Sequence, residues 1–119
     1  MINFEEALRK AVKDYSKWAM EFAEAKPTAD YLDRMVKTVL SEEMLKQDPK
    51  LSLGEKEARA RVSEPLRLHF KGLQEAEHKA AMALARREAA YATWESLRSL
   101  CSYEKKHMDT FEHEPEHEV

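Results

Sequence analysis

The sequence predicts an all-α protein: an elongated helical hairpin or bundle with one long C-terminal helix, coiled-coil-like and oligomeric. Three observations lead there. Two glycines and four prolines in 119 residues leave few breaks between stretches rich in Ala, Leu, Glu, Lys and Arg, the residues that lose least on entering a helix. From Pro65 to Met108 no proline follows the first and Gly72 is the single glycine, so this segment reads as one helix, about 66 Å long at ~1.5 Å per residue. Along it Leu66, Phe70, Leu73, Ala80, Leu84, Tyr91, Trp94 and Cys101 recur at spacings of three, four and seven, which draws a seam that other helices of the chain or a second subunit must cover.

The elements follow in order. Asn3 is a candidate cap for a first helix over about residues 3–25, whose first turn carries Glu5 and Glu6, both favourable near the positive end of the helix dipole. Phe4, Leu8, Ala11, Tyr15, Trp18 and Phe22 give it a seam of its own. Lys26-Pro27-Thr28 is expected to end it, since a proline removes an i→i−4 bond and restricts the residue before it. Thr28 or Asp30 then caps a second helix over about 31–46, with Leu32, Met35, Val36, Val39 and Leu40 on a wide apolar face, and Asp48-Pro49 stops it. Ser52-Leu53-Gly54-Glu55 has capping-box spacing and opens a short polar helix over 53–62. Ser63-Glu64-Pro65 launches the long helix, over 65–108, with a serine cap and an early proline.

These helices make a single domain over 1–108, and residues 109–119 read as an acidic disordered tail with five acids and no Lys or Arg. Within the long helix, residues 76–92 hold eight alanines, which let a partner backbone approach closely. Glu77 and Arg87 interrupt the seam, as polar residues do when they set register or oligomer state.

Charge is unevenly divided. Residues 1–108 carry 20 basic and 18 acidic groups, net +2, against −5 for the tail. A body this close to neutral is compatible with weak phosphate binding and falls short of a strongly basic nucleic-acid protein. The single cysteine, Cys101, has no internal disulfide partner and sits on the seam, which suits a reducing compartment. No apolar run approaches the ~20 residues a membrane helix needs, and no basic leader precedes an apolar run, so the expectation is a cytoplasmic protein without membrane association.

Catalytic patterns are thin. His113-Glu114-Pro115-Glu116-His117 satisfies the letters of the H-E-x-x-H zinc-protease pattern, but that chemistry needs both histidines one turn apart on a buried helix, a third ligand and a cleft beside the glutamate. Pro115 and the acidic, apolar-poor surroundings argue against it. His69, His78 and His107 have no ligand spacing and read as helix-surface or seam-edge residues. No phosphate loop or nucleophile elbow is present. The expectation is a non-enzyme with no metal and no cofactor.

A basic section runs from Lys56 through Arg59, Arg61 and Arg67 to Lys71, with Glu57 and Glu64 as its only acids. Arg59, Arg61, Arg67 and Lys71 are the candidate nucleic-acid contacts, although a solvated charged face produces the same pattern. Leu66, Phe70, Leu73, Leu84, Tyr91 and Trp94 are the candidate oligomer seam.

The segments "YLDRMVKTVL" and "LGEKEARARVSEPLRLHFKGLQEAEHKAAMALARREAAYATWESLRSL" resemble small all-helical phage proteins encoded near recombination and replication functions, over roughly residues 20–105. "MVKTVLS" is similar to a stretch of phage recombination mediators, helical oligomers that help load a recombinase on single-stranded DNA. The long Ala-rich helix and the acidic tail depart from that pattern, and no DNA-contact residue carries over from it. The resemblance implies a non-catalytic accessory of phage DNA recombination or replication in the host cytoplasm, a homo-oligomer with single-stranded DNA or a recombination protein as partner. Two alternatives stay open: a phage inhibitor that occupies a host protein, for which the −5 tail suits a basic target, and a structural coiled-coil spacer.

Overall fold

The computed structural model describes the backbone of residues 3–117 and the side-chain surroundings of residues 3–108. Three helices account for the chain: α1 (Phe4–Leu45), α2 (Leu53–Arg61) and α3 (Glu64–His117), with no strand among the described residues. The all-α class and the long C-terminal helix are as the composition predicts.

The starts of the helices obey local chemistry. Asn3 Oδ1 accepts from the Glu6 amide at 3.1 Å while its Nδ2 donates to the Glu6 carboxylate at 3.4 Å, a reciprocal cap for α1. Ser52 accepts from the Glu55 amide at 3.2 Å to open α2. At the α2–α3 corner Ser63 serves both helices: its Oγ donates to the Ala60 carbonyl at 2.7 Å and accepts from the Leu66 amide at 3.4 Å. One hydroxyl thus satisfies the end of α2 and the beginning of α3.

The break expected at Pro27 is absent, and the two helices predicted over 3–25 and 31–46 are one. Proline removes the donor that the Ala23 carbonyl would use, a cost of about 3 kcal/mol in a helix interior. Packing on both sides overrides it: Ala25 and Ala29, one turn apart and flanking the proline, are both buried. Thr28 Oγ1 also donates to the Glu24 carbonyl at 3.2 Å, one turn back. The long helix differs at its far end as well. Its backbone stays helical to His117 rather than stopping at 108. The side chains expected to form the disordered acidic tail, 109–119, lie outside the described set, and 118–119 lie outside it altogether.

The chain divides into two packing units. One comprises residues 20–83. Its core is built from Ala25 and Ala29 of α1, Ala60 of α2, and Leu66, Leu73, Ala80 and Ala83 of α3, with Ala60 and Leu66 at 0% and 1% exposure. His69 crosses from α3 to α1: its Nε2 lies 2.7 Å from the Leu32 carbonyl, so that nitrogen carries the proton and donates. Of the two positions expected of it, helix surface or seam edge, His69 takes the seam. Glu43 is buried too, and its carboxylate takes Lys46 Nζ at 2.8 Å. That hydrogen bond, then the Glu43 charge, holds the Lys46 ammonium above its ordinary pKa. Its contribution to stability is present below the ordinary lysine value and disappears as pH rises through the raised one. Because Lys46 is exposed, solvent keeps that contribution small.

The other unit comprises residues 1–19 and 84–119. Here α1 and α3 run antiparallel, since Tyr15 meets Tyr91 while Trp18, further along α1, meets Arg86, earlier on α3. Among its described residues Ala11 and Ala90 are the buried ones.

The covered line on α3 is a strict heptad: Leu66, Leu73, Ala80, Arg87, Trp94 and Cys101 at one position, His69, Ala76, Ala83, Ala90 and Leu97 at the other, all buried or half-buried. The predicted seam divides between this line and the positions beside it. Leu66 and Leu73 are buried within the chain itself, whereas Phe70 and Tyr91 sit one residue past the covered line and are 39% and 49% exposed. Leu84, beside them, is half-buried. A continuous α1 supplies cover that two shorter helices would not give.

Two stability measurements check this architecture. Pro27→Ala should stabilise the protein by up to about 3 kcal/mol by restoring the missing bond in a continuous helix; no gain in chemical denaturation would place a real break there. Leu66→Ala should cost about 2–5 kcal/mol, as a buried Leu truncation does. Phe70→Ala should cost clearly less, and equal losses would contradict the assigned phase of the heptad.

Candidate functional site

The predicted basic contacts all fall in the 20–83 unit, around the corner that Ser63 ties together. Arg59 and Arg61 occupy the last turn of α2, and Arg67 and Lys71 lie one turn apart on α3, all four exposed. Arg61 is engaged by Glu57 at 2.7 Å. Arg59, Arg67 and Lys71 carry no ion pair among the described residues, which leaves their charges to solvent or a ligand. Arg34 and Lys37 are exposed on α1, a separate element of the same unit. The patch is local, because residues 20–83 hold 11 basic and 12 acidic groups.

The basic surplus lies elsewhere. Residues 1–19 and 84–108 carry nine basic and six acidic groups, net +3, and there the cations stand against aromatic rings. Lys17 Nζ and the Arg86 guanidinium lie 4.7 and 4.6 Å from the Trp18 ring centroid. The Arg98 guanidinium lies 4.9 Å from that of Trp94. These are cation–π distances. Tyr91 links the set, 6.2 Å from Tyr15 and 6.0 Å from Trp94 between centroids. With Ala11 as a small neighbour and Val12 at the edge, Tyr15, Tyr91 and Trp94 line a shallow apolar cavity of about 270 Å³.

Heptad phase explains how this surface arises. Leu84, Tyr91 and Arg98 are spaced by seven and flank the covered line, where Tyr91 meets Tyr15 of α1. Periodicity alone assigns Tyr91 and Trp94 to an oligomer seam and takes Tyr15 and Trp18 as the seam of the first helix. It misses Val12, Lys17 and Arg98, while Arg86 is legible as half of the basic pair Arg86-Arg87 and not as a neighbour of Trp18. The signal present in the sequence is an arginine one turn after a tryptophan, Trp94 and Arg98, in a helix otherwise lined with alanine.

No group of three His, Cys, Asp or Glu side chains is placed to hold a metal among the described residues. His113 and His117, of the H-E-x-x-H letters, have side chains outside that set. Cys101 is a half-buried free thiol on the covered line. No helix is long and apolar enough to cross a membrane among the described residues. The arrangement is therefore one of surfaces: a cationic corner in one unit and a cation–aromatic surface in the other. Comparison with protein-family models, with curated proteins and with solved structures gives no match.

Proposed function

We propose that the chain is a non-catalytic accessory of DNA recombination or replication that binds single-stranded DNA. The observation that carries this reading is the α2–α3 corner, where Arg59, Arg67 and Lys71 are exposed on a helix junction without acidic partners among the described residues. Phosphates take up such charges and release counterions, which drives binding without base specificity. The resemblance to helical phage proteins supplies the recombination setting. Self-association belongs to the same proposal on altered residues: with Leu66 and Leu73 used internally, the apolar surface left for a second copy includes Leu53, Val62, Leu68 and Phe70.

Fluorescence anisotropy with a labelled oligonucleotide tests the binding. Replacing Arg59, Arg61, Arg67 and Lys71 by Ala should weaken association and flatten its salt dependence by roughly 0.7 in log–log slope for each phosphate no longer neutralised. Arg61, already paired with Glu57, should contribute least. No association at high protein concentration and about 50 mM salt, where electrostatic binding is strong, would remove direct DNA binding and leave capture of a host protein as the account of this surface. Light scattering reads self-association separately, since a mass that stays monomeric on concentration would remove the oligomer.

A further inference from the structure

We infer that the surface formed by Tyr15, Tyr91 and Trp94 is a stacking site for the unpaired bases of a single-stranded nucleic acid, with Arg98 meeting its phosphates. The inference rests on the proposed binding of single strands and assigns it a second, chemically different contact.

The rings keep part of their surface open to solvent. Tyr15 and Tyr91 are 39% and 49% exposed. Their planes are inclined by 53°, too splayed to stack on each other, so a flat group can still lie against either ring. Ala11, Val12 and Trp94 complete an apolar hollow of about 270 Å³ around them. An apolar peptide side chain also fits a hollow of this kind, but the Arg98 guanidinium over Trp94 at its edge favours an anionic ligand. Arg98 stands one heptad beyond Tyr91 and rests on Trp94, while Arg86 and Lys17 rest on Trp18. Arg98 thereby sets a cation beside the aromatic rings that line the hollow. A single strand alternates an anionic backbone with flat apolar faces, and proteins that bind it without sequence preference use that same combination. A duplex keeps its bases stacked internally and offers the rings nothing.

The two kinds of contact separate experimentally. The full chain is titrated with oligothymidine and with an abasic oligonucleotide of equal length, which keeps the phosphates and lacks the bases. Trp18 and Trp94, the two tryptophans of the chain, provide an intrinsic fluorescence signal in the same unit. The expected result is tighter binding of oligothymidine than of the abasic strand, with tryptophan quenching by oligothymidine alone. Tyr91→Leu should reduce oligothymidine affinity between about 5- and 150-fold and leave abasic binding unchanged. Tyr91→Phe, which keeps the ring, should bind as the unaltered chain does. Circular dichroism confirms helicity, and a Tyr91→Leu protein that loses it is replaced by Tyr15→Leu. Equal affinity for the two strands, without quenching, would overturn the stacking site while leaving phosphate binding at the α2–α3 corner intact. Failure of both strands to bind would overturn both.

Discussion

The structure depends on alanine being small. In the 20–83 unit Ala25 and Ala29 of α1 and Ala80 and Ala83 of α3 are buried; in the other unit Ala11 and Ala90 are. A methyl group reaches little beyond the backbone, so covering it to this degree requires the neighbouring helix to come close. Close approach yields many weak dispersion contacts per residue and less transfer energy than leucines would give. Larger residues at the corner, Leu66 above all, supply burial that the alanine positions lack. Continuity of α1 follows from this packing, because breaking the helix at Pro27 would separate Ala25 from Ala29 and uncover both.

Much of this is legible in the sequence. Scarce turn residues give the class, and the three N-terminal signals at Asn3, Ser52 and Ser63 mark helix starts that the structure reproduces within a residue. Pro27 misleads because the penalty of a proline is local and visible, while the packing that overrides it comes from residues far along the chain. On α3, Phe70, Leu84 and Tyr91 lie one residue past the line covered within the chain, which the sequence does not show for a related reason. Large apolar side chains dominate a heptad search, and here the covered positions beside them are occupied by His69, Ala83 and Ala90. Period alone cannot choose between lines one residue apart when the true one is made of small residues.

The same phase determines which chemistry faces outward. Placing alanines on the covered line turns Tyr91 and Arg98 to its edge, where the Tyr91 ring meets Tyr15 of α1 and Arg98 lies over Trp94. The sequence offers the cations of the α2–α3 corner as its clearest basic run, yet the basic surplus of the chain belongs to residues 1–19 and 84–108. That surplus is hidden because α1 and α3 contribute to it from opposite ends of the sequence.

Small-residue packing is tested most directly by comparing two alanines on adjacent faces of α3. Ala83 is buried, and Ala85 is exposed two residues further on. If close helix approach holds the fold, equilibrium denaturation of Ala83→Leu should show a loss of about 1–3 kcal/mol from overpacking, while Ala85→Leu stays within about 0.5 kcal/mol of the unaltered chain. A neutral or stabilised Ala83→Leu would mean that the helices stand far enough apart to accept a leucine, and would contradict the account.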